Sequence, residues 1–346
     1  MIPICVLDTA IWSSVGLTSA AAAAAVRCGL SGFAEYEHAR DRLGEPVVVA
    51  TPPAQAGNDT PAKAMADMAV AAVLSMDGLE EVDDRSQGLA VFLSLPEARP
   101  GLLGAYPETV AAEIRARVNG ARVARPESFG HASGGAALLQ AAVYLQTNSS
   151  GYAIVVGVDT YINRDTLAWL DTNRQLHATY NAWGFIPGAA AGACLVCHPN
   201  HVPRTRRPAL AIVEQVAFGT EAVPIKSAGV CLGRAITGIV DALAGSGVVN
   251  PVFDSLYCDL NGEAYRSDEL GFMLSRCSSR FREPGAFHAP ADCWGDVGAA
   301  SIPLFIALAI HAAESGYSAG PTSLHLAGSE AGLRSGVRLR TRTWGT

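Results

Sequence analysis

Short apolar runs of strand length alternate with longer runs of helical length along the whole chain. This alternation constrains the fold more than any other feature of the sequence. Residues 4–7, 47–50, 89–95 and 153–158 are apolar almost throughout, as expected of strands buried on both faces. Between them, 18–28, 61–76, 107–118 and 134–146 have helical length and composition. Thr60-Pro61 supplies a cap residue followed by proline at the first helical position. Residues 199–208 hold three prolines and three arginines and are the most linker-like stretch. Beyond them, strands are predicted at 209–218, 255–260, 323–327 and 336–339, and helices at 231–243, 263–277 and 297–313. The expectation is an α/β chain of two halves, 1–200 and 201–346, forming one compact unit.

Composition removes several function classes. The 25 basic residues against 32 acidic ones leave a net charge of −7, the wrong sign for a nucleic-acid surface. With 49% hydrophobic and 16% charged residues, the chain is not of the disordered type. The longest apolar helical candidate, 301–313, is shorter than the roughly 18 residues of a membrane span and suits a buried helix. The N-terminus reads as a first strand without a basic leader, so a cytoplasmic location is expected. The eight cysteines are then expected to be reduced thiols, mostly packed in the core. Lys63 and Lys226 are the two lysines.

Three segments carry chemistry. SFGHASGGAALLQAAVYL (128–145) is a glycine-flanked turn opening an Ala-rich helix, a place where peptide N–H groups favour an anion or thiolate. GYAIVVGVDTY (151–161) and WGFIPGAAAGACLVC (183–197) follow. In this order the segments resemble the β-ketoacyl-ACP synthases (ketosynthases) of the thiolase-like superfamily. Weaker likenesses continue the order: CDLNGEAYRSDELGF (258–272), WGDVGAAS (294–301) and LAGSEAGLRSGVRL (326–339). The resemblance implies the thiolase-like fold, two related α/β halves in a layered αβαβα arrangement. It also implies a homodimer paired through an N-terminal-half strand, a possible acyl-carrier-protein partner, and no cofactor or metal.

The family's working residues do not carry over. Aligned on Ala132-Ser133-Gly134, His131 takes the place of the nucleophilic cysteine. Asn261 takes the place of the first catalytic histidine and Gly295, beside Asp296, that of the second. The family lysine falls at Pro290, its glutamate at Ala189, and its gating phenylalanines at Gly328 and Glu330. Ser133, Phe185, Asp296, Ser329 and Glu330 lie in the matched motifs and are expected to line what remains of the acyl pocket. Condensation in the family needs a thiolate to hold the acyl group and two imidazoles to stabilise developing charge.

His131 is therefore expected either to be hydrogen-bonded within a filled pocket or to serve as a base or acyl acceptor with its pKa lowered by the helix terminus. A companion could come from His177 or His288. Ser128 and Ser133 read as turn and cap hydroxyls. Cys194, Cys197, His198 and His201 formally resemble a haem or zinc motif, but a strand there sends the two cysteines to opposite faces. Gly130-His131 could also be likened to the GHPxG motif of thiolases, although its position before GVD favours the cysteine slot. The acidic Glu80, Glu81, Asp83 and Asp84 read as a solvated loop, and Arg204/Arg206/Arg207 and Arg334/Arg338/Arg340/Arg342 as wet surface or a patch for an acidic partner. Three functions follow: a non-condensing accessory or scaffold protein, similar to those encoded beside type VI secretion effectors; an acyltransferase or decarboxylase using His131; and a binding module for an acyl or pantetheine group.

Overall fold

The computed structural model describes residues 2–53, 60–82, 89–245 and 252–342. The N-terminal half runs β1 (Ile4–Trp12), α1 (Ser19–Arg27), β2 (Phe33–Arg40), β3 (Pro46–Ala50), α2 (Pro61–Leu74), β4 (Leu89–Ser94), α3 (Tyr106–Arg117), β5 (Ala121–Val123), α4 (Ser133–Thr147), β6 (Tyr152–Thr160), α5 (Arg164–Thr172) and β7 (Ala189–Cys197). The C-terminal half continues with β8 (Ala211–Thr220), α6 (Arg234–Ala244), β9 (Ser255–Cys258), α7 (Ala264–Cys277), β10 (Phe287–His288), α8 (Ala291–Trp294), α9 (Ser301–Glu314), β11 (Thr322–Gly328) and β12 (Leu333–Thr341).

Ten strands hydrogen-bond in the order β10-β9-β11-β12-β8-β1-β7-β6-β4-β5, and β2-β3 form a separate hairpin. Strand directions repeat on either side of the β1–β8 contact. On one side β1 is antiparallel to β7 and β7 to β6, while β6 is parallel to β4 and β4 to β5. On the other, β8, β12, β11, β9 and β10 follow the same sequence of directions. Among the described residues, Ile4, Cys5 and Val6 join the two half-sheets, against Val213, Ile212 and Ala211.

Helices α4 and α9 lie between the half-sheets. The central core combines Ala137, Leu138 and Ala141 of α4 with Ile302, Phe305 and Ile306 of α9. Helix α9 is apolar on every side because it is covered on every side. Helices α2 and α3 cover the outer face of one half-sheet and α6 and α7 that of the other. The layers thus follow the αβαβα order the resemblance implies. Strands β6 and β7 are buried along almost their whole length, which explains their continuous apolar runs.

Local signals act as expected at Thr60, whose hydroxyl accepts from the Lys63 N–H at the start of α2. Other boundaries shift. Helix α6 begins at Arg234 rather than 231, after Gly233 in the left-handed region at φ 60°. The linker-like stretch is not an extended connection: Pro199–Arg204 forms a 3-10 turn, with His201 buried and edge-on to Tyr152 at 4.7 Å. Cys194 packs in the central core and Cys197 in the outer one, on opposite faces of β7. Glu80 and Glu81 belong to the 3-10 turn Asp77–Glu81, while Asp83 and Asp84 lie outside the described residues.

Candidate active-site cluster

Gly130, at φ 71°, starts the 3-10 turn Gly130–Ala132 that runs into α4 and carries His131 into the interior, 3% exposed. Hydroxyls fasten this turn. Ser133 Oγ donates to Leu95 O and accepts from Phe129 N–H; Ser329 Oγ donates to Phe129 O and accepts from Ala132 N–H at 3.0 Å. Both serines are spent on backbone.

Facing His131 is the turn after α8. Its backbone is clamped by the GFIPG segment: Asp296 N–H donates to Ile186 O and Gly188 N–H to Asp296 O, both at 2.8 Å. Only glycine fits at 188, where a Cβ would lie 2.6 Å from Trp294 O. Gly295, at φ 72°, is likewise in the left-handed region that glycine tolerates. The clamp aims Asp296 inward. Its Oδ1 lies 2.8 Å from His131 Nε2 and accepts from Gly298 N–H, while Oδ2 accepts from Asn261 Nδ2 at 2.6 Å. The three positions read as the old catalytic slots therefore converge, with Asp296 rather than Gly295 supplying the side chain of the third.

The companion of His131 is neither His177 nor His288. Asp296 is its partner, and Arg266 Nη2 lies 3.4 Å from the same ring nitrogen. Arg266, 6% exposed, also donates to Asp259 (2.7 Å), Glu263 (3.4 Å) and Gly328 O (2.9 Å). The expected lowering of the His131 pKa by the helix terminus is also overturned. Burial and Arg266 push it down, but the Asp296 carboxylate outweighs them and raises it above 6.5. Despite its burial, Asp296 is held well below the ordinary carboxylate range by His131 and Arg266. Asp296 is thus paired with His131 on one side, with Asn261 closing its other side.

A line of polar side chains connects this pair to the surface. Lys226 pairs with Glu330 at 3.4 Å, Glu330 accepts from Gln175 at 2.9 Å, and Gln175 donates to Glu263, the partner of Arg266. Lys226 also sits over the Trp169 ring. Arg99 forms a second buried ion pair with Asp159 of the GVD motif at 2.5 Å, and Asp159 also accepts from Ala299 N–H. The two small cavities bordering the cluster, beside Asp296 and beside Arg266, measure about 10 and 20 Å³. A volume of that order holds about one water.

Other expected residues lie elsewhere. Phe185 is a core residue set against Tyr161. Pro290 precedes α8 and Ala189 begins β7. His288 stacks on Tyr257, and His177 lines an open cleft with Glu35 and Glu45. Arg334 is not wet surface: it is 1% exposed and paired with Glu269 at 2.7 Å. Arg338 and Arg340 converge on Glu214. Oxygen and sulfur atoms of Glu221, Cys231 and Glu269 approach within 4.8 Å, but Glu269 is engaged by Arg334 and Glu221 caps α6 at Ala235 N–H. Sequence reasoning missed Arg266, Glu263 and Gln175 as members of the cluster. The i,i+3 spacing of Glu263 and Arg266 directly after Asn261-Gly262 was a usable signal for the first two.

No protein-family model matches the sequence, and no curated protein does. Solved structures do match in fold. The AntDE:AntF complex, a type II PKS acyl-carrier protein with its ketosynthase bound to the hexaketide, aligns at TM-score 0.74 and 13% identity over 99% of this chain and 100% of that one. The ishigamide ketosynthase/chain length factor aligns at 0.69 and 18% over 99% of both chains. The ketosynthase from module 6 of the bacillaene synthase of Bacillus subtilis 168 aligns at 0.73 and 11%, over 99% of this chain and 72% of that one.

Proposed function

We propose that this chain, a ketosynthase in fold, does not perform Claisen condensation and acts through protein association as an accessory or scaffold subunit. The observation that carries this reading is the His131–Asp296–Asn261 constellation in place of a thiol and two imidazoles. With its Nε2 held 2.8 Å from a carboxylate oxygen, which can only accept, His131 carries a proton at that atom and offers no free lone pair there, so it is a poor acyl acceptor. The two cavities that border the cluster among the described residues are each of about one water's size, far smaller than an acyl chain. A His–Asp pair can also orient a base, which favours the acyltransferase or decarboxylase alternative.

Intact-mass analysis after incubation with acetyl- and malonyl-thioesters separates the two. The expected result is an unchanged protein mass and thioester loss no faster than in buffer. A stable adduct on His131, or hydrolysis that disappears in His131→Ala, defeats the accessory reading.

Two partners are proposed. An acyl-carrier protein is supported by the AntDE:AntF complex, in which a ketosynthase of this fold is joined to one. A second copy of the chain is supported by β5, an edge strand of the ten-stranded sheet. Ala124 N–H donates inward to Val91 O, so the alternation of the strand turns Val123 N–H outward. Sedimentation is expected to give a dimer of the 35.9 kDa chain, and Val123→Pro is expected to give a monomer. A wild-type monomer across the micromolar range would refute the edge-pairing proposal.

A further inference from the structure

Far from the His131 cluster, at the opposite end of β9, a cavity of about 180 Å³ opens between the start of that strand, the end of α9 and residues 317–319. Tyr257, 5% exposed, forms its inner wall, and the His288 ring stacks on Tyr257 at 4.4 Å and 21°. Tyr317 lines it as well, and Ala286, Ala312 and Ala319 leave it roomy. At the rim Arg282 is tied to Asp254, whose other oxygen accepts from Thr322 N–H, so both groups are already occupied.

The Tyr257 hydroxyl makes no hydrogen bond among the described residues. Phenylalanine would fill the same core space without offering a hydroxyl to whatever enters the cavity. Behind Tyr257, at 5.2 Å, His325 is fully buried, with Nε2 bonded to Ser323 and Nδ1 unpartnered. A phenol stacked on one imidazole thus forms the cavity wall, with a second imidazole tilted behind it.

We infer that this cavity is a binding site for a small single-ring aromatic molecule carrying a hydrogen-bonding substituent. The ring lies against the Tyr257–His288 stack and its substituent meets the Tyr257 hydroxyl. The volume suits that class, since an apolar cavity of about 150 Å³ accommodates benzene. Burial raises the Tyr257 pKa, which keeps the phenol a donor.

The test uses phenol as probe and cyclohexanol as a non-aromatic control, followed by calorimetry and ligand-observed NMR on the full chain. Phenol is expected to bind saturably at one site and more tightly than cyclohexanol. Tyr257→Phe should weaken phenol binding about five-fold, the effect of one neutral hydrogen bond. Ala286→Leu, at an exposed rim position, should abolish it without touching the core. Equal binding of phenol and cyclohexanol, no saturation by phenol, or phenol binding unmoved by Ala286→Leu or Tyr257→Phe would overturn the assignment. The readout does not involve the His131 cluster, so it stands or falls apart from the accessory-protein proposal.

Discussion

Arg266→Met is expected to destabilise the protein by about 3–5 kcal/mol, the usual effect of removing one partner from a buried ion pair. Arg266 holds Asp259 and Glu263 together in the interior and caps the Gly328 carbonyl. Methionine matches much of its volume, so the loss isolates the charge from the packing. Glu263 would then remain buried, and Asp259 half-buried, without their cation. Urea unfolding at pH 7 measures the effect. It should shrink as pH falls, because protonating the carboxylates removes the charge that Arg266 had neutralised, and burial already pushes the Glu263 pKa up. A deficit below about 1 kcal/mol, the level of a surface pair, would mean that the cluster is hydrated and its role in filling the site is wrong.

Asp296→Asn should have the next largest effect, about 2–4 kcal/mol, because Asp296 accepts from three donors, one of them charged. Its pH dependence has a defined sign. The His131 pKa is raised by folding, so its stabilising contribution is complete below 6.5 and fades as pH climbs through the folded value. The Asp296 pKa is depressed, so its contribution is present above 3.8 and is lost as pH falls towards the folded value. The cost of Asp296→Asn is therefore greatest between about pH 4 and the raised His131 pKa, and smaller above it. In the variant, burial and Arg266 act on His131 without the opposing carboxylate, and its pKa should drop below 6.5. NMR titration of the His131 ring protons reads this directly. A His131 pKa unchanged by the substitution would show that Asp296 is not its dominant partner.

Alignment with the family motifs located the cluster but misjudged its chemistry. His131, Asn261 and the Gly295-Asp296 pair were legible as replacements because each sits in a motif with a recognisable glycine beside it. Asp296 was treated as a pocket residue and Arg266 was overlooked. A missing histidine at 295 says nothing about whether the side chain at 296 can reach the same point, and that depends on the clamp formed by Ile186 and Gly188. Arg334 was misjudged for a related reason. A run of arginines on β12 looks solvated, and Arg334, Arg338 and Arg340 share one face of the strand, yet Arg334 lies where that face is covered and pairs with Glu269 of α7, while Arg338 and Arg340 reach Glu214.

The order and type of most elements, the buried character of the central helix and the departure from the condensing residue set can be derived from the linear chain. Apolar periodicity and glycine placement are local properties, and covalent order preserves them. The charge state of His131, the filling of the site by Arg266, Glu263 and Gln175, and the cavity beside Tyr257 depend on groups brought together from distant parts of the chain. Electrostatic and steric energies depend on those separations in space, and only the packed sheets and helices set them.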